Sequence, residues 1–415
     1  MVKLYDNDAY LRDFTARVTS VEVRSEDEAW ITLDATAFFP EEGGQSPDCG
    51  TIAGFVVTDV QIAGGVIRHR VDVAQVLAAA GVDVVQVLAA AGVSEGVSVA
   101  CSIDWEHRYR NMQMHTGEHI FSGLVHGKYG YDNVGFHLSD RTATMDYNGK
   151  LTEEQLRELE TEANRVIVEN RAVRAWYPAR EELAGLSYRS KKEIDGDVRL
   201  VEIDGVDLCA CCAPHVRTCG EVGCFKLIGY ENYKGGVRVS YRCGFRAIED
   251  YEERLRLQSS LSRLLSVKQE DLADAVAKLQ AERKELAYAL VAKDRAIALA
   301  KLSAQAERDG RARLSDGRID GAGVLLLEQA DATLLRYCVD EMKKRYAGVV
   351  CVLLSTGDAS WRYAAEQDGG DVSAWQAKLR ETYGARGGGP ANSVQGSVTA
   401  PREQLEATLA ELAAL

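Results

Sequence analysis

The sequence lacks three features that would point to a membrane, to export or to general nucleic-acid binding. It has no uninterrupted apolar run of about 20 residues, the length that spans a bilayer, so we expect no membrane partner. Its first residues, Met1 to Tyr10, carry acids and no apolar centre, so we expect no secretion leader and a cytoplasmic protein. Its net charge of −14 disfavours broad binding to phosphate backbones but allows a local basic face.

The cysteines are unevenly spread along the chain. Most of the ten are expected to be reduced thiols, because disulfides are rare in proteins without an export signal. Six of them fall in one short stretch: Cys209, Cys211, Cys212, Cys219, Cys224 and Cys243. This clustering favours a metal site over disulfide bonds.

The first quarter of the chain is rich in β-forming residues. Phe14–Val23, Trp30–Leu33 and Val66–Val73 alternate or bunch such residues and are predicted to be strands. The octapeptide QVLAAAGV then occurs twice, at Gln75–Val82 and at Gln86–Val93. Two copies are too few for a solenoid, so we expect a duplication that lengthens a surface segment.

Three later segments have helical patterns. Arg108–Tyr129 is predicted to be a helix, and Leu151–Asn170 is amphipathic with the capping-box pair Thr152 and Gln155 at its start. Tyr251–Arg308 contains neither proline nor glycine and repeats apolar residues at intervals of three and four. We expect a long helix or a helical hairpin there, with a coiled-coil-like seam that can support a homodimer.

The C-terminal quarter alternates strand and helix patterns and is predicted to be a small α/β domain after a linker at Asp309–Gly317. The predicted elements are the strands Val324–Leu327, Val349–Leu354 and Arg362–Ala365 and the helices Leu334–Arg345 and Ala374–Thr382. Arg386–Pro390, with three glycines, is expected to be a loop within this domain.

Two segments each place a pair of metal-binding side chains four residues apart. The pairs are His115 with His119 and Cys211 with His215, and on a helix such residues lie on one face. Ring nitrogens with a thiolate suit Zn²⁺, so these four residues are the predicted ligands of one zinc ion. Three further thiols remain alternatives for the second pair: Cys209, Cys212 and Cys219.

The ligand pattern leaves the role of the metal open. Four protein ligands are typical of structural zinc, whereas a catalytic site needs a position for water or substrate, so whether His215 or a water is the fourth ligand stays undecided. Zinc proteases place an acid directly after the first histidine, but Glu118 directly precedes the second. It is rotated about 100° from the ligand face, so we expect a solvated carboxylate there.

Several motifs together resemble the free-standing alanyl-tRNA editing proteins, relatives of the editing half of alanyl-tRNA synthetase. The resemblance covers nearly the whole chain, and its motifs lie at Thr36–Gly50, Asp104–His119, Cys211–Gly223, Gly236–Arg238 and Gly387–Pro390. It implies an α+β fold in four segments: a β-barrel-like part over 1–103, an α/β zinc-containing editing domain over 104–250, a long helix or coiled coil over 251–310 and a small α/β tRNA-binding domain over 311–415.

The resemblance also implies an activity, namely zinc-assisted removal of serine, and as an open alternative glycine, from mischarged tRNA(Ala). It implies that Thr36 and Gln45 line the pocket. For the mechanism our hypothesis is that backbone N–H groups of Gly43 and Gly44 stabilise the developing oxyanion. The alternative is a zinc-stabilised RNA-binding or adaptor protein without catalysis.

Basic residues near these motifs are candidates for contacts with the tRNA. Lys226 and Arg238 lie close to the second ligand pair in sequence, and Arg386 and Gly388 lie in the C-terminal glycine segment. Lys191, Lys192, Lys234 and Arg242 are further candidates near the site. Solvated charges on an ordinary surface are the competing interpretation for each of them.

Overall fold

The structure, a computed structural model, describes residues 1–24, 28–73, 84–140, 143–191, 196–328 and 333–414. The chain forms two compact units, Met1–Ser259 and Ser260–Leu415. None of the described helices combines the length and the apolar composition that a bilayer crossing requires.

The first unit begins with a small barrel. Its elements are β1 (Val2–Lys3), α1 (Leu4–Asn7), β2 (Asp13–Val23), β3 (Glu28–Leu33), β4 (Ala35–Thr36), β5 (Gly50–Ile52), β6 (Phe55–Ala63), β7 (Val66–Asp72), α2 (Val84–Ala90) and β8 (Ser98–Ile103). Six strands close in the order β2-β3-β7-β6-β5-β8, and all neighbours are antiparallel. Alternate residues such as Val18 and Ile31 fill the interior, as the period of two requires.

The duplicated octapeptide behaves differently from the expected surface segment. The second copy supplies helix α2, and Val87, Leu88 and Val93 are buried in the core of the barrel. The expectation was wrong for this copy, because its apolar residues recur on one helical face and that face packs against the barrel. The first copy, Gln75–Val82, lies outside the described residues.

The rest of the first unit is an α/β domain around one central helix. Its elements are α3 (Trp105–Tyr129), β9 (Asn133–Leu138), β10 (Ala143–Tyr147), α4 (Glu153–Glu169), β11 (Val173–Trp176), α5 (Arg180–Leu183), β12 (Leu200–Ile203), β13 (Asp207–Ala210), β14 (Phe225–Tyr233), β15 (Gly236–Cys243) and α6 (Gly244–Leu265). The strands form a four-stranded sheet, β14-β15-β10-β9, and a three-stranded sheet, β11-β12-β13. A short 3-10 helix, Cys219–Val222, lies before β14.

The predicted helices of this domain are confirmed, and their ends follow ordinary capping rules. Helix α3 begins after Asp104, whose side chain accepts a hydrogen bond from the His107 N–H, and ends at Gly130 in the left-handed conformation. The capping box of α4, Thr152 with Gln155, is present. Helix α3 packs against α4, β13 and β15 and is buried along most of its length, so its polar side chains need partners inside the protein.

The long helical segment is divided into two helices. Helix α6 ends at Leu265, and α7 (Leu272–Arg308) follows a 3-10 turn at Gln269–Asp271. A single continuous helix is therefore excluded, although neither glycine nor proline interrupts the sequence. Ser266 instead takes a left-handed φ of 54°, and the Ser262 hydroxyl donates a hydrogen bond to the Val267 carbonyl.

The second unit ends in a small α/β domain, as predicted. Its elements are β16 (Gly323–Leu327), α8 (Thr333–Lys343), β17 (Val350–Gly357), β18 (Ser360–Glu366), α9 (Ser373–Tyr383), β19 (Arg386–Gly388), β20 (Ser393–Thr399) and α10 (Arg402–Ala413). The sheet order is β16-β17-β18-β20-β19, with only the first pair parallel. The glycine segment was expected to be a loop, but Arg386–Gly388 pairs with β20 as an edge strand because an extended backbone needs no side chain there.

Candidate metal centre

The four predicted metal ligands converge in the first unit. His115 and His119 project from one face of α3, and Cys211 and His215 come from the segment after β13. The Cys211 Sγ lies 3.6 Å from Nε2 of His115 and 3.4 Å from Nε2 of His215. A tetrahedral zinc ion with ordinary bond lengths would place sulfur and nitrogen about 3.6 Å apart. These four residues, called the quartet below, therefore fit a single zinc ion: His115, His119, Cys211 and His215.

The second ligand pair lies on a loop after β13, although a spacing of four would also suit a helix. Residues 211–218 follow an irregular path, because Pro214 lacks an N–H and disfavours the helical conformation of the residue before it. Arg199 holds this path from inside, donating hydrogen bonds to the carbonyls of Cys211 and Ala213 at 3.0 and 2.9 Å. The loop thus brings sulfur and ring together without helical periodicity.

All three histidine rings have a partner at Nδ1. The partners are Gln45 Oε1 at 2.8 Å from His115, Asp207 Oδ2 at 3.0 Å from His119 and Thr116 Oγ1 at 3.0 Å from His215. An amide oxygen and a carboxylate can only accept, so Nδ1 of His115 and of His119 donates and their Nε2 atoms keep a lone pair; the Thr116 hydroxyl can accept from Nδ1 of His215 in the same way. This is the arrangement that outer hydrogen bonds impose on metal-binding histidines. The ring nitrogens that face one another are therefore the ones free to bind an ion.

Asp207 and Arg189 form a buried ion pair behind the quartet. The guanidinium of Arg189 donates from Nε and Nη2 to the two oxygens of Asp207, at 2.7 and 2.8 Å. Burial alone would raise the pKa of Asp207, but hydrogen bonds from His119 and Arg189 outweigh it and lower that pKa. Neither residue was predicted from the sequence, where the signal for Asp207 is an acid at the start of a strand that leads into the cysteines.

Glu118 is buried, so the expectation of a solvated carboxylate was wrong. Its Oε1 accepts hydrogen bonds from Ser122 Oγ at 2.7 Å and Asn133 Nδ2 at 2.6 Å, and Lys191 Nζ lies 3.4 Å away. Burial by itself would raise the pKa of Glu118, but the positive charge of the nearby Lys191 holds it well below its usual range. The error arose because α3 is enclosed by protein on several sides, so a position rotated away from the ligand face still faces the interior.

The second oxygen of Glu118 faces the candidate metal centre. Glu118 Oε2 lies 3.7 Å from Nε2 of His119 and 3.9 Å from Nε2 of His115. It has no hydrogen-bond partner among the residues that the structure describes. A charged, buried acceptor without a donor is uncommon in folded proteins.

The loop predicted to line the pocket approaches the quartet through Gln45. The side-chain amide of Gln45 is fully buried; its oxygen accepts from His115, and its Nε2 has no hydrogen-bond partner within the described part of the chain. Gly44 has a φ of 87°, and a Cβ added there would lie 2.2 Å from the carbonyl oxygen of Phe136. Gly43 has a φ of 63° and packs near the Cys212 thiol. Glycine is thus required where this loop crosses β9.

Thr36 is buried in the barrel, where its hydroxyl already has two partners. Thr36 Oγ1 lies 2.8 Å from His69 Nε2 and accepts a hydrogen bond from the Phe38 N–H at 3.1 Å. His69 Nδ1 donates to the Ile31 carbonyl at 2.9 Å, so its Nε2 accepts the Thr36 proton. Only a lone pair and the methyl group of Thr36 remain for other contacts.

The spare thiols do not join the quartet. Cys219 is buried in the apolar core of the α/β domain, and burial raises the pKa of Cys212. Cys209 lies near His119 and Asp207, within 4.8 Å of both ligand atoms, but burial raises the pKa of this thiol as well. Among the described residues, Cys211 is the cysteine whose sulfur lies within 4.8 Å of the ring nitrogens of all three histidines, so it is the sulfur that the geometry selects.

The predicted tRNA-binding residues differ in how available they are. Lys226 Nζ forms an ion pair with Glu160 at 2.6 Å, and Arg238 binds Asp146 through two hydrogen bonds of 2.6 and 2.7 Å. A phosphate would have to compete with these carboxylates. Arg386 is exposed on β19, and Gly388 lines a small cavity of about 260 Å³ in the second unit. Lys192 lies outside the described residues.

The chain is similar in sequence to several known proteins. The model of the threonyl and alanyl tRNA synthetase second additional domain matches residues 198–240, which include Cys211 and His215. The alanyl-tRNA editing protein AlaX-M of Methanosarcina acetivorans is 33% identical over 243 residues, covering 55% of this chain and 93% of that protein. AlaX-L of Pyrococcus horikoshii is 32% identical over 262 residues, or 61% of each chain.

Longer relatives and one solved structure complete the comparison. The alanine–tRNA ligase of Ignicoccus hospitalis is 34% identical over 294 residues, which cover 68% of this chain and 30% of the ligase. The C-Ala domain of Aquifex aeolicus alanyl-tRNA synthetase is similar to 23% of this chain, over 87% of its own length, at 22% identity and a TM-score of 0.19. The chain thus spans 61% of AlaX-L and about a third of the ligases.

The quartet, its buried supports and the domain match together define a protein with a tRNA synthetase second additional domain. Within that class, the chain belongs to the alanyl-tRNA editing proteins.

Proposed function

We propose that this protein is a cytoplasmic trans-editing hydrolase that deacylates mischarged Ser-tRNA(Ala), with Gly-tRNA(Ala) as a second substrate to be tested. The convergence of His115, His119, Cys211 and His215 is the observation that carries the proposal, since the family membership alone names no reacting group. Serine differs from alanine by one hydroxyl, and a small synthetic pocket rejects such an isostere poorly. A separate hydrolytic site is the general solution to that problem.

Zinc is the proposed cofactor. When bound by the three rings and the thiolate, the ion supplies Lewis-acid polarisation and anchors the acylated end of the tRNA. The Nδ1 partners Gln45, Asp207 and Thr116 keep the ligand nitrogens aimed at one point. Their arrangement supports an N₃S site better than an all-oxygen site for Mg²⁺ or Ca²⁺.

Selection of serine is assigned to Gln45. Its Nε2 is a buried donor without a partner among the described residues, in a side chain whose oxygen is held by a metal ligand. A seryl hydroxyl would accept that hydrogen bond, whereas the methyl group of alanine would leave the donor unpaired. Thr36 is proposed to add its methyl group to the same pocket, as the resemblance implies.

The reaction itself is a simple ester hydrolysis. The oxygen of a water molecule bonds to the ester carbonyl carbon, and the bond from that carbon to the ribose oxygen breaks. The ribose oxygen takes up a proton from the water, so the products are free serine and uncharged tRNA. Backbone N–H groups of Gly43 and Gly44 are proposed to stabilise the oxyanion, a role that the left-handed turn allows.

Binding of the tRNA body is assigned to the second unit and to basic residues of the first. Arg386 and Gly388 lie on the edge strand β19, and Lys226 and Arg238 can exchange their carboxylate partners for phosphates. Helix α7 exposes Leu279, Leu286, Leu290 and other apolar residues at intervals that suit a homodimer seam.

Two cysteine variants test the metal and the activity together. Cys211→Ala is expected to lose bound zinc and the ability to clear Ser-tRNA(Ala), whereas Cys212→Ala, the matched control, keeps both. The measurement is metal content by mass spectrometry and deacylation of Ser-, Gly- and Ala-tRNA(Ala), with and without added zinc. Clearance of Ser-tRNA(Ala) by metal-free Cys211→Ala at the wild-type rate would refute the proposed role of the metal.

The closed set of four protein ligands favours a second candidate, a zinc-stabilised RNA-binding protein without catalysis. A chelator separates the two candidates. Loss of deacylation while the protein stays folded, as judged by circular dichroism, supports the hydrolase. Unfolding on removal of the ion, with no deacylation by the zinc-loaded protein, supports the structural metal.

A further inference from the structure

The unused oxygen of Glu118 is a binding position for a donor that the protein itself does not supply. Ser122 and Asn133 hold the carboxylate through Oε1, and Lys191 approaches the same oxygen. Oε2 is buried and has no hydrogen-bond partner within the described chain. It lies beside Nε2 of His115 and Nε2 of His119, two members of the quartet. Ser122, Asn133 and Lys191 thus contact Oε1, and Oε2 is left next to the quartet.

We propose that Oε2 of Glu118 binds the α-ammonium group of the aminoacyl ester, so that the site selects esters with a free amino group. The inference rests on the proposed function, because it assigns a residue to that substrate. An α-ammonium has several N–H donors and a positive charge, and it is attached to the carbon next to the ester carbonyl. A carboxylate beside the quartet would therefore meet the ammonium of an ester bound next to these four residues.

The surroundings of Glu118 favour a cationic donor over a neutral one. Asp207, the other acid at the centre, has both oxygens engaged by Arg189 and His119, so it cannot bind the ammonium. Lys191 lies 4.5 Å from the centre of the Phe136 ring, and its ion pair with Glu118 is to Oε1, the oxygen that Ser122 and Asn133 already hold. Charge-assisted hydrogen bonds are the strong ones in such low-dielectric sites.

The experiment compares Ser-tRNA(Ala) with N-acetyl-Ser-tRNA(Ala), in which acetylation removes the positive charge. The full-length zinc-loaded protein is expected to prefer the free ester by about 10- to 100-fold, the range for a hydrogen bond to a charged group. In Glu118→Gln, whose amide oxygen can still accept from Ser122 and Asn133, the preference is expected to fall to about one. Glu154→Gln, the same change at an exposed position of α4, is the matched control.

A second measurement does not depend on catalysis. Calorimetry is used to compare binding of 3′-deoxy-3′-(L-seryl)amino-adenosine, an amide analogue of the acylated terminus, with binding of its N-acetyl form. The wild type is expected to bind the free amine more tightly by a similar factor, and Glu118→Asp, which keeps the charge, is expected to retain part of that preference.

Several results would overturn the inference. Equal slowing of both esters in Glu118→Gln would place Glu118 at the attacking water instead, and loss of zinc from this variant would make it a metal ligand. Equal binding of both analogues by the wild type would also contradict the proposal. Failure of the wild type to deacylate any aminoacyl-tRNA would refute the proposed function, whereas deacylation without preference for the free amine would refute only the role of Glu118.

Discussion

Replacing Asp207 by asparagine separates two roles of one buried carboxylate. Asp207 orients the His119 ring and neutralises Arg189, whose side chain is only 10% exposed. Asparagine keeps an acceptor for the ring but removes the charge. Loss of such an outer ligand typically lowers metal affinity about 10- to 100-fold, or about 1.4 to 2.7 kcal/mol. The unpaired guanidinium costs the fold about 3 to 5 kcal/mol in addition.

The double variant Asp207→Asn with Arg189→Met distinguishes the two effects. Methionine removes the uncompensated charge, so most of the lost folding free energy should return, while zinc affinity should stay low because His119 has lost its carboxylate. Zinc affinity is measured by competition with a chromogenic chelator, and stability by urea unfolding of the metal-free protein. Asp146→Asn, which breaks the pair with Arg238 far from the quartet's hydrogen bonds, should leave zinc affinity unchanged and lower stability less than Asp207→Asn, because the Arg238 side chain is 30% exposed.

Two outcomes would refute this reasoning. Wild-type zinc affinity in Asp207→Asn would show that the carboxylate does not tune the ring. Recovery of zinc affinity in the double variant would show that the single variant weakened binding through loss of folding rather than through orientation.

The remaining predictions concern the glycine turn and the barrel histidine. Gly44→Ala should disrupt the loop and abolish deacylation, because its Cβ would lie 2.2 Å from the Phe136 carbonyl oxygen. The control Gly54→Ala, with a similar φ of 86° but no atom within 4 Å of the added Cβ, should keep activity. Equal activity of the two variants would contradict the predicted clash. Burial lowers the pKa of His69 to about 4. In the unfolded chain this histidine takes up its proton near pH 6.5, whereas in the folded protein it stays neutral until about pH 4. The folded state is therefore unaffected above pH 6.5, and as the pH falls to 4 the free energy of unfolding decreases by about 3 kcal/mol. Urea unfolding between pH 7.5 and 4.5 should show a steeper loss in wild type than in His69→Gln, and parallel curves would contradict the assignment.

Local periodicity and ligand spacing predicted a large part of the fold and the candidate site. The helix of His115 and His119 was predictable because its caps and length follow from local residues, and the convergence of Cys211 and His215 followed from ligand chemistry. The capping box at Thr152 was similarly local. The two helices do not depend on which distant segment packs against them.

What sequence reasoning missed depends on tertiary contacts. The burial of Glu118 and the pairing of Asp207 with Arg189 arise where α3 is enclosed by strands that are distant in sequence. No local sequence pattern predicts such contacts. Strand β20 and helix α10 were also missed. In β20 only two valines are buried, at Val394 and Val398, and its polar and glycine residues are typical of loops.

The hydrogen bonds at Nδ1 determine how the quartet meets an ion. A flip of any of the three imidazoles would break a buried hydrogen bond, so the rings hold their directions before the ion arrives. Binding then costs little rotamer entropy. Ions that demand square-planar or octahedral surroundings, such as Cu²⁺ or Mg²⁺, would have to turn rings that are anchored from behind. Discrimination among metal ions therefore comes from the stiffness of the protein around the rings rather than from the intrinsic affinity order of the metals.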